Sequence, residues 1–202
     1  MKATRATFIA LVILLIALIA HSQTPSADTQ HFEKDGLSFD YPAGWQINDQ
    51  STKQIQIIQV MRGDGYAELR VRVPREWLKT PQKEAEAKRI IQDRYVEQFV
   101  DNVQQGGLHP TRAAATTEIA GGTAEGVKIR ALLGNESGGL DSFYRIVSDR
   151  FVQLSQIGSE RDMAKSSPAW DMIRNSIKVE PAPQSKPAPQ ETPKPSTTPP
   201  KP

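Results

Sequence analysis

Ala87, Ile91, Tyr95, Phe99 and Val103 recur every four residues, and Val96 and Val100 widen the stripe. On a helix these residues share one broad apolar face, which must be covered by something else in the fold. Thr80-Pro81 supplies an N-cap followed by a proline at the first helical position, and Gly106-Gly107 supplies a stop. The pattern therefore predicts one long helix from Pro81 to about Gln104. Glu84 and Lys88, and Arg89 and Asp93, stand at helical spacing on its solvated side. A helix with one apolar face needs a sheet beneath it.

The sheet is written on both sides of the helix. Leu37, Phe39 and Tyr41 alternate with polar residues and predict a half-buried strand that Pro42 ends. Gly44 then permits a turn with positive φ, which folds Trp45 back as a plug over the sheet. Ile55, Ile57, Ile58 and Val60 predict a second strand whose change of phase calls for a bulge. After RGDG, Ala67, Leu69, Val71 and Val73 alternate with Glu68, Arg70 and Arg72, so the two runs make a hairpin. Beyond the helix, Val127 to Leu133, Phe143 to Val147 and Phe151 to Ile157 read as strands. GNESGG is expected to be a loop and Asp149-Arg150 a tight turn. A short helix is expected from Ser167-Pro168, burying Trp170, Ile173 and Ile177, with a last short strand at Ile177 to Val179. Strands, helix, strands, helix indicate an α+β domain over residues 31–180 with an antiparallel sheet.

The two ends bound the setting. Lys2 and Arg5 precede an apolar run from Phe8 to Ala20, which is too short to span a bilayer comfortably but fits a secretory signal peptide over residues 1–22. Ala20 and Ser22 place small residues for cleavage between Ser22 and Gln23; the alternative is an uncleaved segment that anchors the domain to a membrane. Residues 23–30 read as a linker. From Pro181 the chain is PAPQSKPAPQETPKPSTTPPKP, a composition unable to bury apolar surface, so residues 181–202 are expected to be a disordered Pro-rich tail. The expected localisation is extracytoplasmic, periplasmic or secreted.

Without Lys2 and Arg5 the basic side chains equal the 23 acidic ones in number, so no long-range field favours nucleic acid. The absence of cysteine excludes disulfides, thiolate metal sites, a cysteine nucleophile and lipidation at the cleavage point. Past the signal only His31 and His109 remain, without metal-ligand spacing and without a G-x-S-x-G elbow. GGTAEG at 121–126 precedes a strand, so it reads as a turn and not a phosphate cradle. Arg62-Gly63-Asp64 falls where the hairpin needs its turn, and Asn135-Glu136-Ser137 is a glycosylation sequon on an expected loop. Neither catalytic residues nor a cofactor or metal site is expected. The candidates for partner binding are Trp77 and Arg75 in the VPREWLKTP link, an aromatic displayed among charges; the competing role for Trp77 is to cover one end of the sheet.

Taken together, DGLSFDYPAGWQI, the hairpin, I-x-G-G-x-A-x-G at Ile119 to Gly126, DRFVQLSQIG and PAWDMIRNSIKV resemble the PsbP-like superfamily, which includes PsbP and the DcrB-like exported proteins. The resemblance spans most of residues 31–180. It implies an α/β/α sandwich with a central, mainly antiparallel sheet, one long helix and a short C-terminal helix. It also implies a non-enzymatic binding or accessory protein of the cell envelope with a protein partner, and it transfers no site residue. The rival readings are an extracytoplasmic, hydrolase-like enzyme whose site assembles only in three dimensions, and a membrane-tethered structural protein.

Overall fold

The computed structural model describes residues 29–64, 67–133 and 135–181. The signal segment, its cleavage point and the Pro-rich tail beyond Pro181 lie outside the described residues. Among the described residues, ten strands form two antiparallel sheets. The small sheet has the order β1-β2-β10, from β1 (Thr29–Lys34), β2 (Leu37–Pro42) and β10 (Lys178–Val179). The large sheet has the order β3-β4-β5-β9-β8-β7-β6. Its strands are β3 (Gln46–Asp49), β4 (Ile55–Met61), β5 (Ala67–Pro74), β6 (Thr111–Ile119), β7 (Gly122–Leu133), β8 (Glu136–Val147) and β9 (Arg150–Ser159). Three hairpins close through two residues of positive φ: Asp35-Gly36, Ala120-Gly121 and Ser148-Asp149. Such turns match the right-handed twist of the strands they join.

Alternation gives the large sheet two different faces. Val71, Leu154 and Phe143 point to one side, where they meet Phe39 and Leu37 of β2 and Trp170 and Ile173 of helix α3 (Glu160–Ser176). The other face carries Ile129 and Leu140, covered by Val96, Tyr95 and Phe99 of the long helix. That helix runs as α1 (Pro81–Ala87), a π-helical segment (Lys88–Asp93) and α2 (Arg94–Gln105). The domain is α+β, with helical layers on both sides of a central antiparallel sheet.

The long helix starts where its caps dictate: the Thr80 hydroxyl accepts from the Lys83 N–H, and Pro81 opens the first turn. The π segment was not foreseen. The N–H of Arg94 donates to Arg89 O, five residues back, and Lys88 Nζ bridges the same span to both oxygens of Asp93 at 2.9 and 3.0 Å. Asp93 thus pairs with Lys88 and not with Arg89. The wider turn rotates Gln92 inward and leaves Ile90 at the surface. Gln92 then donates to Ser142 O and accepts from the Ser142 hydroxyl and Gln153 Nε2 at 2.8 and 2.7 Å. Beside this network, Arg72 lies 3.8 Å under the Tyr95 ring, so the polar side of β5 is roofed by the helix.

Four further expectations are corrected. β4 pairs with β5 residue for residue, without a bulge; Gln56 takes the inward position between the isoleucines because Arg150 and the Lys34 carbonyl satisfy its amide. Gly138 and Gly139 lie in β8, which starts at Glu136, so GNESGG is largely strand. Gly126 likewise lies inside β7, and only Ala120-Gly121 form the turn. Helix α3 begins at Glu160, because the Ser159 hydroxyl caps the Asp162 N–H, and it carries Pro168 in its interior. Trp45 is half-buried against the main core, as a plug should be.

Lys34 and Asp49 join the two sheets through a hydrogen-bonded ion pair of 2.6 Å. The Lys34 ammonium, with help from Ser51, pulls the Asp49 carboxyl from its ordinary 3.8 down to about 2. A depressed carboxyl contributes stability above its unfolded value, and the contribution is lost as pH falls from about 4 through 2. Asp49→Asn is therefore expected to flatten the acid limb of a stability-versus-pH curve between those values. The pair is partly exposed, so the loss at neutral pH is at most about 1 kcal/mol. An acid limb unchanged by the substitution would remove Asp49 from that account.

Candidate functional site

Both sequence candidates sit in the link between β5 and α1, at one end of the sheet. Backbone bonds pin this link: Arg75 N–H donates to Gln54 O at 2.8 Å, and Leu78 N–H to Asp149 O at 2.6 Å. The Arg75 guanidinium reaches in two directions, from Nη2 to Asp35 Oδ2 at 2.8 Å and from Nε to Thr52 O at 3.1 Å. It therefore holds the β1–β2 turn against the loop before β4. Trp77 is half-buried, its ring centroid 5.8 Å from the guanidinium carbon of Arg150. Its indole N–H is buried with no acceptor among the described residues.

Arg150 is the residue that sequence reasoning missed. It opens β9 directly after the Ser148-Asp149 turn and is only 3% exposed. Its Nε donates to Pro74 O at 3.2 Å, and its Nη2 to Gln56 Oε1 at 2.6 Å. Burial pushes its pKa below the ordinary arginine value. Asp35, Arg75, Trp77, Arg150, Glu180 and Pro181 surround a small cleft of about 150 Å³. No sequence pattern announces it, because Arg150 reads as a turn residue until the strand register is known.

Arg75 also forms part of the wall of a larger groove of about 570 Å³ between this link, β4 and the long helix. Ile55, Pro74, Leu78, Ala87, Ile90 and Ile91 make it apolar, and Lys53, Glu76, Lys83 and Glu86 rim it. Lys83 and Glu76 are paired with each other across one side. Nothing in α1 is buried, and Ile90 is 38% exposed, so the first half of the long helix stands off the sheet and leaves its apolar side open. The π turn sets that opening, since it commits Gln92 and not Ile90 to the sheet.

Apart from the Gln54 amide in the larger groove, the walls of both clefts are aliphatic, aromatic or charged, with neither histidine nor hydroxyl side chains among them. This chemistry suits holding an apolar group between charges. His109 is exposed after the helix, away from both clefts. His31 lies on β1, where Nδ1 meets Asp40 Oδ1 at 2.6 Å. Arg62 and Asp64 form an ion pair of 2.8 Å within the β4–β5 turn.

No protein-family model matches the chain, and no curated protein matches it. Among solved structures it is similar to cyanobacterial PsbP (CyanoP) from Synechocystis sp. PCC 6803, at 16% identity and a TM-score of 0.49, covering 79% of this chain and 96% of that one. It is also similar to PA94, a protein of unknown function from Pseudomonas aeruginosa, at 13% identity and a TM-score of 0.34, covering 71% of this chain and 91% of that one. At such identities and scores neither carries a fold family or an activity over to this chain.

Proposed function

We propose that this chain is an exported, non-catalytic binding module of the cell envelope, and that it takes an apolar side chain of an extended protein segment into the groove beside Arg75 and Trp77. The observation that carries the reading is the apolar wall left open under α1 by the π turn, with Ile90 at the surface. Apolar residues that gather in a cleft ringed by charges are the usual centre of a protein interface. The charged rim of Lys53, Glu76, Lys83 and Glu86 provides groups to orient a peptide backbone. The apolar start of the chain supports export.

The test is crosslinking of the full-length protein in its native cells, followed by pulldown. Ile90→Asp is expected to abolish capture of a discrete envelope protein while moving stability by no more than about 0.5 kcal/mol, as for most surface changes. Leu132→Asp is the control, since Leu132 is 64% exposed but lies on β7, away from the groove. Equal capture by both variants, or no discrete partner with the unaltered protein, would overturn the reading.

A further inference from the structure

Strand β6 closes the large sheet, and its outer edge has no strand beside it among the described residues. Its sequence, TRAAATTEI, is nine residues long and contains neither proline nor lysine; it pairs with β7 without a bulge. Those are the devices by which proteins ordinarily protect a sheet edge. Most of its side chains are exposed, although the strand itself is well formed.

The direction of the free backbone groups follows from the hairpin. Ala120 and Gly121 make a two-residue turn, so Ile119 and Gly122 are the closing, hydrogen-bonded pair. Pairs alternate along an antiparallel ladder, so the odd-numbered residues of β6 bond to β7. The even-numbered residues direct their N–H and C=O groups outward. Glu118 O confirms that direction, since it accepts from Arg174 Nη1 at 3.3 Å. The next outward group, Ala120 N–H, donates to Arg174 O at 2.8 Å, so the end of helix α3 lies against the edge just past the strand.

We propose that the partner of this edge is a second copy of the chain, joined β6 to β6 across a two-fold axis at Ala115. An antiparallel two-fold must pair even-numbered residues with even-numbered ones, because only those carry outward bonds. Several registers meet that condition. The register centred on Ala115 overlaps all nine residues and, in addition, places Arg112 opposite Glu118 twice over. Both side chains are exposed, and neither enters an ion pair among the described residues. Between those charges only alanine and threonine meet, which are small enough for close approach, and at each end Thr111 faces Ile119, whose side chain is buried in its own subunit. Sliding by two residues shortens the ladder and breaks both charge pairs at once. The result is one continuous sheet through both subunits.

The edge and the groove lie at opposite ends of the strand order, β6 against β4 and β5. A dimer formed this way leaves both grooves open, and its two sites would act together on a partner presenting two copies of its segment. The dimer does not depend on the proposed function. The groove can fail its test while the edge passes, and the reverse.

Because the chain has no cysteine, a single introduced thiol reports the register. Opposed residues in a non-hydrogen-bonded pair have Cα atoms about 4.5 Å apart, within disulfide range. Ala115→Cys should therefore crosslink to itself under mild oxidation of the full-length protein. Ala113→Cys should not, since Ala113 faces Thr117 of the other copy. In sedimentation equilibrium, Arg112→Glu should weaken the dimer about tenfold by placing like charges opposite each other in both pairs, and Arg112→Glu with Glu118→Arg should restore it. A protein monomeric at every concentration, equal crosslinking at both positions, or a dimer indifferent to the charge reversal would each overturn the proposal.

Discussion

Gly139→Val is expected to lose about 3 kcal/mol of folding stability or more, a large part of the 5–15 kcal/mol that holds a domain of this kind together. Gly139 lies in β8 opposite Gly158 of β9, in a strand buried on both faces. A side chain there would run into the neighbouring strand: its first carbon would overlap the Ile129 carbonyl oxygen and lie 2.8 Å from the carbonyl carbon and 3.2 Å from Arg130 Cα. These are backbone atoms of β7 in the middle of a ladder, so they cannot move aside as a flexible side chain could. Relief requires β7 and β8 to separate, with loss of several of their hydrogen bonds. Gly63→Ala is the matched comparison, because nothing lies within 4 Å of a carbon added there; it should cost no more than about 0.5 kcal/mol. Urea unfolding followed by circular dichroism distinguishes them. Equal midpoints for the two variants would mean that β7 and β8 do not approach each other so closely at Gly139.

The same glycine shows where sequence reasoning reached its limit. Alternation located β2 and β5 because each has one face in the core, and burial writes a period of two into the residues. It found no trace of β6, whose exposed alanines and threonines are under no such pressure. Gly126, Gly138 and Gly139 looked like loop residues because freedom of the backbone is the commonest reason for glycine. Here close approach of two strands is the reason at Gly126 and Gly139, and close approach depends on register, which is a property of two segments at once. The C-terminal helix was placed late because Ser167-Pro168 imitates a cap, whereas Ser159 makes the bond. At the candidate site, Trp77 and Arg75 stood out as an aromatic and a charge in one short link. Arg150 and Gln56 did not, since their hydrogen bond spans 94 residues of sequence. Nor did the groove, which exists because one wide turn in the long helix changes which residues face the sheet.

Phe39→Ala is expected to be the second severe substitution, costing about 3–5 kcal/mol in urea unfolding. Phe39 is fully buried in β2, its ring centroid 5.0 Å from that of Phe32 and 6.3 Å from that of Tyr41. It belongs to the cluster that includes Val71 and Leu154 of the large sheet and Trp170 and Ile173 of α3. β2 is the centre of the small sheet, with β1 on one side and β10 on the other, and its Asp40 N–H is fixed to the Ser176 hydroxyl at 2.8 Å. Truncation therefore opens a cavity among elements already held in place, which collapse cannot easily fill. Trp45, six residues on, is the informative contrast. It is larger but only half-buried, so Trp45→Ala should cost roughly half as much, in proportion to the apolar area it keeps from water. That ordering assigns the stretch from Leu37 to Trp45 to architecture: the ring deepest in the core matters most, and the more visible tryptophan serves as its lid. If Trp45→Ala proved nearly neutral in stability but reduced partner capture, the tryptophan would belong to a binding surface instead.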